Sequence, residues 1–188
     1  DGQTFDAAVF AVAPYHLAPL LPEHLGDAVR QAVQQLSYHA ITTVYLRYPQ
    51  PLHLPAALTG FAHRPTQWLL DRGRLQHPNE AAAIISTSDL VAESSLHTDG
   101  KPDWAATAHQ DLLQLNPHLP PPEAQQTITE KRATVASTVN RRLPDMADLN
   151  AARIWLAGDW LHDRYPATLE AAVQTGERAA QQCLAALT

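Results

Sequence analysis

Apolar residues that recur every three to four positions predict three amphipathic helices. One is expected to begin at Pro22, because proline fits the first turn of a helix and Leu25 and Val29 follow at a spacing of four. Another is expected after Asp103, whose carboxylate can cap the first turn. The clearest lies near the C-terminus, and the apolar face predicted for it consists of Leu169, Ala172, Val173, Gly176, Ala179, Ala180, Cys183, Leu184 and Leu187.

Short segments rich in β-branched and aromatic residues predict strands. Residues 8–12 form an apolar run that stops before Pro14, which is typical of a buried strand. Residues 40–48 and 153–157 predict two more strands. Helices and strands together indicate an α/β (α+β) fold with a mixed β-sheet. The remaining strands are predicted at residues 58–62, 67–70, 82–87 and 126–136.

Composition excludes several classes of protein. The chain has 188 residues, of which 45% are hydrophobic and 17% charged, so a packed core is expected rather than disorder. A net charge of −6 gives no electrostatic reason to expect a nucleic-acid partner. No apolar run approaches the roughly 18 residues of a membrane helix, and the single cysteine, Cys183, cannot form an intramolecular disulfide. The N-terminus has neither Met nor a signal pattern, so we expect a part of a longer protein.

One segment near the C-terminus has the order strand, glycine, acid, loop and helix. Gly158 and Asp159 follow the predicted strand, and the helix begins after a loop near Thr168. A helix N-terminus presents unpaired N–H groups to a phosphate or an electron-rich ring edge, and a carboxylate at a strand end can accept from ribose-type hydroxyls. The order alone is equally compatible with a capped turn in an ordinary α/β unit.

Longer stretches of the sequence resemble a known family of flavoproteins. The motif AGDW at residues 157–160, followed by YPATLEAAVQTGERAA at residues 165–180, resembles the C-terminal FAD signature of the flavin-containing amine oxidase and phytoene desaturase superfamily. Residues 43–48, 67–74 and 130–136 are similar to the squalene-associated FAD-dependent desaturases, also called hydroxysqualene dehydroxylases, of hopanoid biosynthesis. The resemblance covers nearly the whole chain.

The resemblance implies the C-terminal part of a two-domain flavoprotein. It assigns residues 1–21 and 153–188 to the FAD domain, as parts of an incomplete Rossmann-like unit, and residues 22–152 to the substrate-binding domain. No G-x-G-x-x-G pattern is present, so the N-terminal half that would hold the ADP part of FAD is missing. We therefore expect the isolated chain to carry no FAD, to be inactive and to self-associate through apolar surfaces.

The same resemblance implies two sets of site residues. Asp159 meets the ribityl and pyrophosphate region of FAD, with Gly158 and Trp160 beside it, and the backbone N–H groups near the helix start approach the flavin. No catalytic residue is assigned. The cofactor set is Gly158, Asp159, Trp160, Thr168, Leu169 and Glu170, and the substrate set is Gln67, Trp68, Arg72 and Arg132. The alternatives are a core position for Trp68 and a solvated turn for Arg72.

The implied activity is FAD-dependent conversion of hydroxysqualene, a long isoprenoid, to squalene. A carotenoid or phytoene desaturase, an amine oxidase and a non-catalytic α/β binding module remain as alternatives. The ten histidines include no H-E-x-x-H spacing, so no metal site is expected. Because such isoprenoids partition into bilayers, we expect a cytoplasmic protein in peripheral contact with the inner membrane.

Overall fold

The computed structural model describes residues 2–75, 77–86, 102–139 and 141–188. The chain divides into two compact units, unit 1 with residues 1–37 and 135–188 and unit 2 with residues 38–134. The sequence predicts domain boundaries after residues 21 and 152, whereas the boundaries between the two compact units lie after residues 37 and 134. Which unit holds the cofactor and which the substrate stays a prediction.

Seven strands and five α-helices are formed by the described residues. Three short 3-10 turns lie at Ala18–Leu20, Arg72–Arg74 and Asp159–Leu161. In chain order the elements are β1 (Ala8–Phe10), α1 (Pro14–Leu17), α2 (Asp27–Gln34), β2 (Tyr38–Arg47), β3 (Leu58–Gly60), β4 (Trp68–Asp71), β5 (Glu80–Ser86), α3 (Trp104–Leu115), β6 (Ala124–Val135), α4 (Ala147–Ala151), β7 (Ile154–Leu156) and α5 (Leu169–Leu187).

The strand predictions are confirmed, with bounds that differ by a few residues. Thr87, the end of one predicted strand, lies outside the described residues. The mixed α/β class is also confirmed, because β1 pairs in parallel with β7 in unit 1 whereas the pairs β3–β4, β4–β5 and β2–β5 of unit 2 are antiparallel. The predicted N-cap of α3 is present, since Asp103 Oδ1 accepts a hydrogen bond of 2.9 Å from the N–H of Ala106.

In unit 1 the helix α5 packs inward along a stripe of small side chains, and most of its predicted apolar face stays exposed. The buried residues are Ala171, Thr175 and Ala179, at a spacing of four, whereas Leu169 is 89% exposed and Val173 is 55% exposed. The small buried side chains let the helix lie close to β7, where larger ones would hold it away. Side-chain size, rather than hydrophobicity, therefore decides which face of α5 packs inward.

The predicted start of the second helix is wrong, because α2 begins at Asp27 instead of Pro22. The Arg30 guanidinium donates to the carbonyls of Leu21 (3.0 Å) and Pro22 (2.7 Å), which fixes this segment as a loop. Gly26, with a φ of 74°, makes the turn into the helix in a left-handed conformation that glycine adopts without strain.

Unit 2 contains a five-stranded sheet with the order β3-β4-β5-β2-β6. One face of the sheet packs against α3 and forms the core of the unit. Because side chains alternate along a strand, the other residues of β2, β4 and β5 point to the opposite face. The core-facing residues are Val44, Leu46, Leu69, Ala81, Ala83 and Ile85, packed against Ala105, Ala108 and Leu112 of α3.

Candidate functional site

The first candidate site is the turn that follows β7 in unit 1. The N–H of Gly158 donates to Thr175 Oγ1 (3.0 Å), and the Thr175 hydroxyl lies 3.0 Å from the Gly158 carbonyl. A Cβ atom at Gly158 would lie 2.8 Å from Cδ1 and Nε1 of Trp160. Only glycine therefore lets the indole ring fold back against the turn, and α5 holds the turn through Thr175.

Asp159 and Trp160, which follow this glycine, differ in what holds them. Trp160 is buried, and its carbonyl accepts a hydrogen bond of 2.8 Å from the Arg141 guanidinium, which also donates to the carbonyl of His162 (3.0 Å). Asp159 is half-buried, and within the described ranges its carboxylate has no hydrogen-bond partner. The turn is thus fixed through its backbone while one carboxylate stays available to a ligand.

The loop between this turn and α5 is organised around His162. Nδ1 of this buried side chain accepts from the N–H groups of Arg164 (3.2 Å) and Tyr165 (3.3 Å). The ring proton must therefore lie on Nε2, which donates to Gln174 Oε1 at 3.0 Å. The Tyr165 ring stacks on the imidazole with centroids 4.2 Å apart. His162 thus holds the loop against α5 through both of its ring nitrogens.

The first turn of α5 is exposed. Thr168 Oγ1 accepts from the N–H of Ala171 (3.1 Å) and donates to the Tyr165 carbonyl (3.0 Å). The N–H groups of Leu169 and Glu170 have no acceptor within the helix, as in the first turn of any helix. The two open N–H groups could donate to carbonyl oxygens of a flavin ring. The carboxylate of Asp159 could accept a hydrogen bond from a hydroxyl of the ribityl chain. The residues present are therefore compatible with one part of an FAD site.

The second candidate site lies in unit 2, on the sheet face that points away from α3, which we call the open sheet face. Two cross-strand rows form it: Leu58, Leu70, Ala82 and Tyr45 in one, and Gly60, Trp68, Ile84 and Thr43 in the other. Trp68 is 49% exposed and Leu58 is 52% exposed. A cavity of about 630 Å³ lies on this face. The open sheet face is therefore an apolar surface that a ligand can reach.

The structure brings only some of the predicted substrate residues together. Trp68 lies on the open sheet face, and the Arg72 guanidinium lies 5.0 Å from the ring centroid of Tyr45 on the same face. Gln67 is joined to the sheet through its backbone, whose N–H donates to the Ile84 carbonyl (2.9 Å). Arg132 lies apart on β6, with its guanidinium 5.9 Å from the Tyr38 ring centroid.

Sequence analysis missed the residues that hold the turn in unit 1. Thr175 could have been found, because small residues at 171, 175 and 179 mark a close helix contact. Arg141 and His162 carried no such signal. Within the described ranges no group of three or more His, Cys, Asp and Glu side chains is placed to hold a metal ion. No helix in the part of the chain that the structure describes has the length and hydropathy needed to cross a bilayer.

Known proteins match the chain along nearly its whole length. The family model described as flavin containing amine oxidoreductase matches residues 1–184. A hydroxysqualene dehydroxylase of Rhodopseudomonas palustris is 32% identical over 182 residues, which cover 96% of this chain and 39% of that protein. Another from Sinorhizobium fredii is 25% identical over 183 residues, with 95% and 39% covered. The chain thus spans about two fifths of the length of these curated relatives.

Solved structures of low sequence identity share the fold. Putrescine oxidase bound to putrescine aligns with a TM-score of 0.61 and 18% identity over 94% of this chain and 42% of that chain. A protein of Pyrococcus furiosus aligns with the same TM-score and 10% identity over 96% of this chain and 41% of that chain. At these identities the likeness shows the fold alone.

Proposed function

Because this chain belongs to the flavin-containing amine oxidoreductase family, as the sequence resemblance predicts, we propose that it forms part of an FAD-dependent hydroxysqualene dehydroxylase of hopanoid biosynthesis. Two relatives with that name match the chain over at least 95% of its length. The structural observation that carries the proposal is the open sheet face, which offers an apolar surface to a long hydrocarbon.

The proposed cofactor contacts come from the turn after β7 and from the start of α5. The unpaired carboxylate of Asp159 accepts a hydrogen bond from a hydroxyl of the FAD chain. The open N–H groups of Leu169 and Glu170 donate to flavin oxygens. Gly158 and Trp160 shape the turn, and Thr168 caps the helix and so keeps its first turn in place.

The proposed substrate lies along the open sheet face. Burying an isoprenoid chain there is favourable by about 25 cal/mol for each Å² of apolar surface removed from water. When bound and reduced, FAD would supply the hydride that replaces the hydroxyl group on carbon, while the hydroxyl, together with a proton, would leave as water. The protein's contribution is to orient the chain and to exclude water from it.

The charges around the cavity on this face distinguish the proposed substrate from an amine. Among the residues that the structure describes, the cavity is lined by the basic side chains of Arg72, Arg74 and His77 and by no carboxylate. Arg72 and Arg74 are paired with Glu80 and Asp71, so in the described part of the chain the cavity offers a protonated amine no unpaired carboxylate, whereas a neutral alcohol needs no counter-charge. The open sheet face therefore supports an isoprenoid alcohol better than it supports an amine.

Turnover by a full-length protein that carries this chain tests the proposal. The purified protein is loaded with FAD. It is given hydroxysqualene after reduction with dithionite, and in its oxidised form it is given a carotenoid precursor or a primary amine in separate reactions. The expected result is squalene from hydroxysqualene. The amine reaction is run with oxidised protein, since an amine oxidase removes hydride from its substrate. Turnover of the amine with no conversion of hydroxysqualene would refute the proposed function.

We also propose that the isolated chain is inactive and that the full-length protein contacts the inner membrane peripherally. The first part is supported by the absence of a G-x-G-x-x-G pattern, whose turn and helix hold the pyrophosphate in dinucleotide-binding folds. The second is supported by the low water solubility of a long isoprenoid. Sedimentation of the full-length protein with vesicles of mixed neutral and anionic phospholipids tests the membrane contact, and no cosedimentation would contradict it.

A further inference from the structure

Four charged or titratable side chains gather at one end of the open sheet face, and we call them the charged cluster: Arg47, Arg72, His77 and Glu80. Glu80 is central. Its Oε1 accepts from Nε (3.1 Å) and Nη2 (2.9 Å) of Arg47. Its Oε2 lies 3.5 Å from Nε of Arg72 and 4.0 Å from Nδ1 of His77. One carboxylate thus faces three basic side chains.

Arg72 is the member of the charged cluster that is best placed to bind a ligand. Its guanidinium lies over the Tyr45 ring, next to the apolar row of Tyr45, Ala82 and Leu70. In the described part of the chain its terminal nitrogens donate no hydrogen bond to a protein acceptor. Arg72 therefore presents N–H donors at the border between the apolar surface and the charged cluster.

The geometry points to the charged cluster as the site that binds the hydroxyl group of the isoprenoid substrate. This inference rests on the proposed function and assigns the polar end of that site. The hydroxyl oxygen accepts a hydrogen bond from Arg72, and the hydroxyl group donates a hydrogen bond to Glu80. The hydrocarbon part of the substrate lies along the open sheet face. A hydrocarbon without an oxygen atom would displace water from these charged groups without forming a hydrogen bond to them. Its binding free energy would therefore be less favourable.

The charges of the cluster agree with such a ligand. Apart from His77, the two arginines and one glutamate leave an excess of one positive charge, which favours a lone-pair acceptor over a cation. A substrate oxygen is an acceptor of this kind.

Binding of an alcohol and of the matching hydrocarbon to the full-length, FAD-loaded protein tests the inference. The dissociation constants of hydroxysqualene and squalene are measured in detergent micelles through Trp fluorescence. We expect the wild-type protein to bind hydroxysqualene about tenfold more tightly than squalene. A factor of this size corresponds to the loss of one hydrogen bond to a charged group. Arg72→Met should reduce this preference to about one, and Glu80→Gln should reduce it in part.

Lys131→Met is the matched control, because it removes an exposed positive charge from β6 outside the charged cluster. It should keep the wild-type preference. Because Arg72→Met also removes packing over Tyr45, Arg72→Lys is tested as well and should show an intermediate preference. If wild type prefers the alcohol and both Arg72 variants keep that preference, the inference is wrong and the proposed function stands. If wild type binds neither isoprenoid, the proposed function itself fails, and this inference fails with it.

Discussion

Replacing Thr175 with valine tests whether α5 holds the turn that carries the proposed cofactor contacts. Valine has nearly the shape of threonine but cannot accept the hydrogen bond from the N–H of Gly158 (3.0 Å). Thr175 itself is 4% exposed, so little water can replace the lost hydroxyl. A buried donor left without an acceptor costs about 1 to 3 kcal/mol. Because Gly158 is only partly buried, we expect about 1 to 2 kcal/mol.

The assay measures both thermal unfolding and FAD affinity of the full-length protein. A loss of this size lowers the unfolding midpoint by about 2 to 8 °C in a domain of about 150 to 250 residues, and by less in a longer protein that unfolds as one unit. If the turn also shifts, FAD should bind several-fold more weakly. Thr175→Ser is the control, because it keeps the hydroxyl and loses one methyl group, at a cost of about 1 kcal/mol. It should retain wild-type FAD affinity.

Two results would refute this reasoning about Thr175. If the valine variant binds FAD as tightly as wild type and melts at the same temperature, the hydroxyl does not hold the turn. If the serine variant loses as much FAD affinity as the valine variant, the methyl group rather than the hydrogen bond is responsible.

Three further predictions concern the cofactor, the isolated chain and the pH dependence of stability. Asp159→Ala should weaken FAD binding with an unchanged far-UV spectrum, whereas Asp163→Ala, which removes an exposed carboxylate, should not; equal affinity in wild type and Asp159→Ala would contradict the proposed contact. The isolated chain should bind no FAD in calorimetry and should form oligomers in size-exclusion chromatography with light scattering; micromolar binding or a clean monomer would contradict these two expectations. Burial lowers the pKa of His109 and raises that of Tyr48, so the protonated Tyr48 hydroxyl and Nδ1 of neutral His109 share a hydrogen bond of 2.9 Å. As the pH falls, His109 therefore takes up a proton at a higher pH in the unfolded chain than in the folded chain. The free energy of unfolding should consequently decrease as the pH is lowered below about 6.5. His109→Gln should remove this contribution to the pH dependence of stability.

Local features of the sequence determined most of the secondary structure. A run of β-branched and aromatic residues specified β2, because such side chains pack well on a pleated surface. Asp103 specified the start of α3, since a cap needs only the three residues that follow it. The order of strand, glycine, acid, loop and helix was likewise readable, and it led to Asp159 and the start of α5.

Only the tertiary structure decided which side chains meet. The contacts that hold the turn join Arg141 and Thr175 to residues 17 to 21 positions away in the chain. The charged cluster depends on the register of β2 with β5, which places Arg47 opposite Glu80. The buried face of α5 depends on how closely the helix approaches β7, so small residues at 171, 175 and 179 pack inward while larger apolar ones such as Leu169 do not. Hydrophobic periodicity reports that a helix has an apolar face, but the distance between two packed elements is set by the volumes of the side chains on both of them.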